Sequence, residues 1–159
     1  MQDLFLRSVI MGMAATALLD LWALLLNRLF GFALPNWGLV GRWFGHMPRG
    51  HFVHDTIADS PAIRGERAIG WAGHYLIGIL FALATLLIGG AAFRTQPTLF
   101  APLFVGLATV GCGWFLLAPG MGNGMAHARK PDANRIRVLN ILGHTVFGLG
   151  LYGAALLLK

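Results

Sequence analysis

Four long apolar segments, at about 4–32, 68–93, 98–119 and 136–158, constrain this chain more than any other feature. A bilayer's hydrocarbon layer is roughly 30 Å thick and takes about 20 mostly apolar residues to cross as a helix. Inside lipid, backbone polar groups are satisfied only within helices or closed barrels, so these segments read as transmembrane helices. Only 11% of the 159 residues are charged, against roughly 25% in a soluble domain. Four spans use up most of the length, which leaves a single membrane domain, 1–159. The first span follows Arg7 as a signal peptide would. Its length, its Asp20 and the lack of a small-residue cleavage site before Asn27 and Arg28 read as a mature helix instead.

The formal net charge is +6; in a soluble protein this would suggest nucleic acid, but its distribution here points to the bilayer. Arg28, Arg42, Arg49, Arg64, Arg67, Arg129, Lys130, Arg135 and Arg137 flank or fill the connections after spans 1 and 3, and only Arg7, Arg94 and Lys159 lie on the other side. The positive-inside rule then places both connections in the cytoplasm and both termini outside, in the periplasm. Anionic lipid headgroups or an anionic substrate are the expected partners of that basic face, with Arg42, Arg49 and Arg67 as the binding residues. Cys112 is the only cysteine, so no internal disulfide forms, and it reads as a small packing residue.

Within the spans, one motif occurs twice. Gly73-His74-x-x-x-Gly78 recurs seventy residues later as Gly143-His144-x-x-x-Gly148, and Ala84, Leu86 and Leu87 match Ala154, Leu156 and Leu157 in the same register. Spans 1 and 3 match more weakly, Gly12 with Gly106 and Ala14 with Ala108. The expected fold is therefore an all-α integral membrane four-helix bundle: two αα-hairpins in a parallel pseudo-twofold repeat, with a long aromatic and histidine-rich cytoplasmic loop between helices 1 and 2.

Span 1 places Gly12, Thr16 and Asp20 on one helical face. A carboxylate in a span is costly and should face the bundle interior with a partner. Asp20, His74 and His144 each fall roughly 10–15 Å below the same surface, from the rise of about 1.5 Å per residue. Between the first two spans, 45–55 holds His46, His51, His54 and Asp55, and imidazole with carboxylate is the usual ligand set for zinc, iron or manganese. Pro35, Pro48 and Pro61 punctuate this connection, and Trp37, Trp43, Phe44 and Phe52 favour the membrane interface, with a short amphipathic helix around 38–44. His127, after a Gly-rich break, and Asn140 in span 4 are weaker site residues. Glu66 is either a second catalytic carboxylate beside Asp20 or an acid placed favourably in the first turn of a helix.

The runs Gly41-Arg42-Trp43-Phe44-Gly45-His46, Arg49-Gly50, Gly65-Glu66, Gly70-Trp71-x-x-His74-Tyr75 and His144-x-x-Phe147-Gly148-Leu149-Gly150-Leu151-Tyr152 resemble a family of small four-span bacterial inner-membrane proteins catalogued as a domain of unknown function. The similarity covers nearly the whole chain, with 111–115 fitting less well. It implies the bacterial inner membrane as location and Asp20, His46, Glu66, His74 and His144 as part of the family pattern, and it implies no mechanism.

Three functions suit these residues. The first is a metal-dependent membrane enzyme acting on a lipid or apolar small molecule, its ion held by Asp20, His74 and His144 or by these with His46, His51, His54 and Asp55. The second is a b-type haem protein with His74 and His144 as axial ligands. The third is a proton- or cation-coupled carrier, or an accessory subunit of a larger membrane complex; a homo-oligomer or such a complex is the expected assembly.

Overall fold

The computed structural model describes residues 2–159, and its regular structure is all helical, without a strand among the described residues. Its long helices are α1 (Gln2–Phe30), α3 (Glu66–Phe93), α4 (Phe100–Gly120) and α5 (Ala133–Leu157), with the short α2 (Trp37–His46) in the first connection. The four long ones are long and apolar enough to cross a membrane, and their exteriors carry bare Phe5, Leu21, Leu76, Leu87, Phe100 and Leu116. Helices apolar outside as well as inside are built for lipid. The chain divides into two compact units.

The first unit comprises the segments ending at Leu34, Tyr75–Thr109 and Ile141–Lys159. In it, α1 meets α3 with Gly12 against Gly78 and Ile79, and Asp20 against Tyr75, so the two run antiparallel. The α4–α5 pair repeats the arrangement: Gly106 lies against His144 and Gly148, and Gly148 against Pro102 and Leu103. Gly12 and Gly78 in one hairpin thus correspond to Gly106 and Gly148 in the other, the positions matched by sequence. Lipid tails are as apolar as leucine, so close backbone contact over small residues is what holds such helices together. Gly150 against Ala15 joins α5 to α1, and the core is filled by Met11, Ala82, Leu86, Phe147 and Leu151.

Local signals set the ends. At the end of α1, Gly31 takes φ +70°, its N–H bonds Asn27 O at 2.9 Å, and the Asn27 amide donates to Phe32 O. A left-handed residue closing a helix costs glycine little. At the other end of the unit, the Arg7 guanidinium donates to Leu158 O at 2.6 Å, a cation on the carbonyl end of α5.

The second unit comprises Pro35–His74 and Val110–Asn140. The short helix expected around 38–44 is present as α2, one residue longer at its N-terminal end and two at its C-terminal end, and Asn36 caps it by accepting from Leu39 N. It crosses the first turns of α3 with almost no separation: a Cβ on Gly41 would overlap Glu66 O, and one on Gly70 would overlap Trp37 O. Burial of α2 accounts for aromatics that composition alone assigns to the interface. Trp43 is buried with its indole donating to Phe52 O at 2.8 Å, and Phe44 packs over Gly73.

The third span, expected as one plain helix over 98–119, is interrupted. Between Gly113 and Leu117 it widens into a π turn in which Ala118 N reaches back to Gly113 O. Pro119, just beyond, has no N–H to offer an i−4 carbonyl, and Gly111 and Gly113 supply a backbone with little resistance to rewinding.

Candidate functional site

In the second unit the loop is organised on Arg42. Its Nε and Nη2 donate to the two carboxylate oxygens of Glu66 at 2.8 and 2.9 Å, while Nη1 donates to Ala58 O at 2.9 Å and Ser60 O at 3.0 Å. Glu66 Oε2 also accepts from Ile63 N at 3.1 Å. A planar five-donor guanidinium suits this fork-and-carbonyl arrangement, and lysine does not. Most of its donors are therefore directed within the loop. Arg49 and Arg67 differ: both are exposed, and Arg49 spends one donor on Gly45 O at 3.0 Å.

Three histidines lie on the folded connection. His46, buried, ends α2 with Nε2 at 2.9 Å from Pro61 O. His54 binds Gly120 O twice, through its main-chain N at 3.0 Å and Nδ1 at 3.1 Å. A carbonyl only accepts, so Nε2 of His46 and Nδ1 of His54 carry protons. In the neutral rings, Nδ1 of His46 and Nε2 of His54 are then bare lone pairs. Nε2 of His54 is buried and meets no donor. The rings stand edge to face with centroids 5.2 Å apart, and the exposed His51 ring lies 6.4 Å from that of His46.

The loop reaches this position by threading against the end of α4: Ile57 N donates to Met121 O, and Gly122, at φ +85°, has its Cα face against the main chain of His54 and Asp55, with no room for a side chain. The Asp55 carboxyl is on the exposed side.

His74 belongs to the same unit and lies flat on Trp37, ring centroids 3.9 Å apart, with Trp71 edge-on at 6.0 Å. Asn140 accepts from the Trp114 indole at 3.0 Å, bracing the widened turn. His127 sits at φ +61° beside Ala126 at φ +47°, both left-handed without being glycine. Burial pushes its pKa down, and Lys130 and Arg137 add to that.

Asp20 and His144 lie in the first unit. Tyr75 donates its phenol to Asp20 Oδ2 at 3.0 Å. His144 Nδ1 is 3.0 Å from Gly106 O and 3.2 Å from Thr109 Oγ1, so it too carries a proton there and leaves Nε2 as the lone pair. The two copies of the Gly-His motif thus share the helix crossing at their second glycine, Gly78 and Gly148, and differ in what the first glycine and the imidazole meet. The ligands expected from sequence divide between the units, and no group of three or more His, Cys, Asp or Glu side chains placed to hold a metal ion occurs among the described residues.

Sequence reading missed several partners. Tyr75, Trp37 and Thr109 complete Asp20, His74 and His144, while the carbonyls of Pro61 and Gly120 fix two imidazoles. Tyr75 alone had a signal, its place beside His74 at the depth of Asp20.

No curated protein and no solved structure matches the chain. Residues 9–158 match the family described as protein of unknown function DUF2938, and the chain belongs to that family.

Proposed function

We propose that this membrane protein is a metal-dependent enzyme whose ion is held by His46 and His54, acting on a lipid or apolar small molecule. The reading is carried by the fixed tautomers. Metal-bound histidines almost always donate their second ring N–H to a carbonyl or carboxylate, which orients the ring and sharpens the other nitrogen as a ligand. His46 on Pro61 O and His54 on Gly120 O both meet that condition, and the buried lone pair of His54 otherwise has nothing to accept. Two imidazoles suit zinc or iron. They leave further positions open for water and substrate, as a catalytic ion requires. Bound there, an ion would supply Lewis acidity.

The test is a pair of substitutions that keep the structural hydrogen bonds and delete the ligand atoms. His54→Asn retains a donor where Nδ1 stands, and His46→Gln retains one where Nε2 stands. Purified wild type should carry one equivalent of a transition metal by elemental analysis, and should regain Zn²⁺ or Co²⁺ after stripping, while each variant folds and binds at least about tenfold more weakly. Metal-free wild type that takes up neither ion, or variants that bind as wild type does, would sink the proposal.

A second reading, a proton- or cation-coupled carrier, is favoured by Asp20 and Tyr75, a carboxylate and a phenol joined at 3.0 Å between two apolar helices. An ionisable pair at such a place is costly to keep and suits proton relay. Asp20→Asn in sealed vesicles should abolish any proton or cation flux that wild type shows; flux unchanged by the substitution would discard the reading.

A further inference from the structure

The segment between His51 and His54 exposes two apolar side chains, Phe52 at 56% and Val53 at 74%, outside all four spans. They are not on a loose tip. The main chain of Phe52 is held by the Trp43 indole at 2.8 Å, His51 N reaches His46 O, and His54 is tied twice to Gly120 O. Because the carbonyl of Phe52 faces the buried Trp43 and the His54 ring faces Gly120, the Phe52 and Val53 side chains are held outward. A rigidly presented apolar pair in water is a cost that a binding surface removes.

What covers it is indicated by charge and by the spans. The residues of this unit include eight basic and four acidic side chains. Arg49 and Arg64 on the same connection and Arg67 in the first turn of α3 are exposed, and α3 begins and α4 ends within the unit, as Glu66–His74 and Val110–Gly120, where a spanning helix would meet a membrane boundary. Apolar side chains with basic neighbours at such a boundary match a bilayer surface rich in anionic headgroups, where acyl chains take the former and phosphates the latter. We infer that Phe52 and Val53 insert into the headgroup layer of the bilayer the protein spans, with anionic lipid gathered around Arg49, Arg64 and Arg67. This surface stands whether or not a metal binds. If one does, His54, next to the inserted pair, takes its substrate from the lipid side.

The experiment uses the full chain in vesicles. In a Cys112→Ser background, Val53→Cys carries an environment-sensitive fluorophore, and Asp59→Cys, also exposed and on the same loop, is the reference. In phosphatidylglycerol mixed with phosphatidylcholine, the label at 53 should be blue-shifted, shielded from iodide and quenched by lipid bearing a shallow nitroxide, unlike the label at 59. Water-like emission at 53 with iodide quenching equal to that at 59 overturns the insertion. A shift that is the same in pure phosphatidylcholine supports insertion and overturns the anionic-lipid part. Loss of metal binding without change at position 53 would instead bear on the histidine site, so the two proposals fail separately.

Discussion

Thr16 Oγ1 lies directly over the Cα of Gly78, fully buried and with no hydrogen-bond partner, where α1 crosses α3. A methyl at position 78 would overlap that oxygen. Gly78→Ala should therefore cost about 2 kcal/mol, the usual scale of overpacking. Thr16→Ala removes a buried hydroxyl that bonds nothing and should be close to neutral or stabilising. The double variant should recover most of the loss, seen as coupling in a double-mutant cycle by thermal or denaturant unfolding in detergent. At the equivalent crossing a methyl on Gly148 would meet main-chain atoms, Pro102 O at 2.9 Å and Leu103 Cα at 3.2 Å. Gly148→Ala should accordingly find no rescue in a side-chain truncation on α4. If Thr16→Ala fails to relieve Gly78→Ala, the two helices do not meet there.

The Arg42–Glu66 fork fixes the loop to the start of α3. Arg42→Lys keeps the charge but not the geometry, so it should lower the apparent Tm by about 5 °C, on the scale of one lost charged hydrogen-bond set. Glu66→Gln should also destabilise, and the double variant should cost less than the two together, since each single change strands the other partner. Limited proteolysis between 50 and 65 reads the same effect locally: cleavage should rise in both single variants. A Tm and a cleavage pattern unchanged in Arg42→Lys would show that the fork does not hold the loop.

These positions show what was legible beforehand. The paired glycines were visible because packing in lipid leaves its mark in residue size: Gly12, Gly78, Gly106 and Gly148 hold matched positions in sequence and matched crossings in space. The helices too were legible, to within three residues at every end, since the thickness of a bilayer dictates the length of such helices. The interruption at Gly113–Leu117 was not, because a π turn arises from one displaced hydrogen bond and leaves no change of apolar period. Nor were the histidines' tautomers, which depend on the carbonyls of Pro61 and Gly120, and any residue type can supply a carbonyl. Arg42 read as a headgroup ligand because sequence counts charges; only the fold shows its donors turned toward Glu66, Ala58 and Ser60.

The Asp20–Tyr75 bond separates structural from functional accounts of the spans. Tyr75→Phe deletes the donor while keeping the ring and should cost about 1 kcal/mol or more of stability. If Asp20 is only a packing element, Asp20→Asn should retain most stability, because an amide still accepts from the phenol. Wild-type-like stability in Asp20→Asn together with loss of the protein's transport or catalytic activity would place the carboxylate in function. Equal loss of fold in both variants would confine it to structure.

At the other end of the chain's polar features, Ala126 and His127 occupy left-handed backbone at φ +47° and +61°. Such a conformation costs a non-glycine residue about 1 kcal/mol, so Ala126→Gly should stabilise the connection before α5 by up to that amount. His127 adds a pH dependence. Burial first, then Lys130 and Arg137, hold its folded pKa below the ordinary value of 6.5, so the unfolded chain binds its proton more readily. Stability should then be full well above pH 6.5, fall as pH drops through that value, and level off once the folded-state pKa is passed. His127→Asn, which tolerates left-handed backbone and does not titrate, should flatten this part of the profile. The measurement is the unfolding midpoint of both proteins in detergent from pH 8 down to about pH 5. An identical slope in wild type and His127→Asn would assign the dependence to another group.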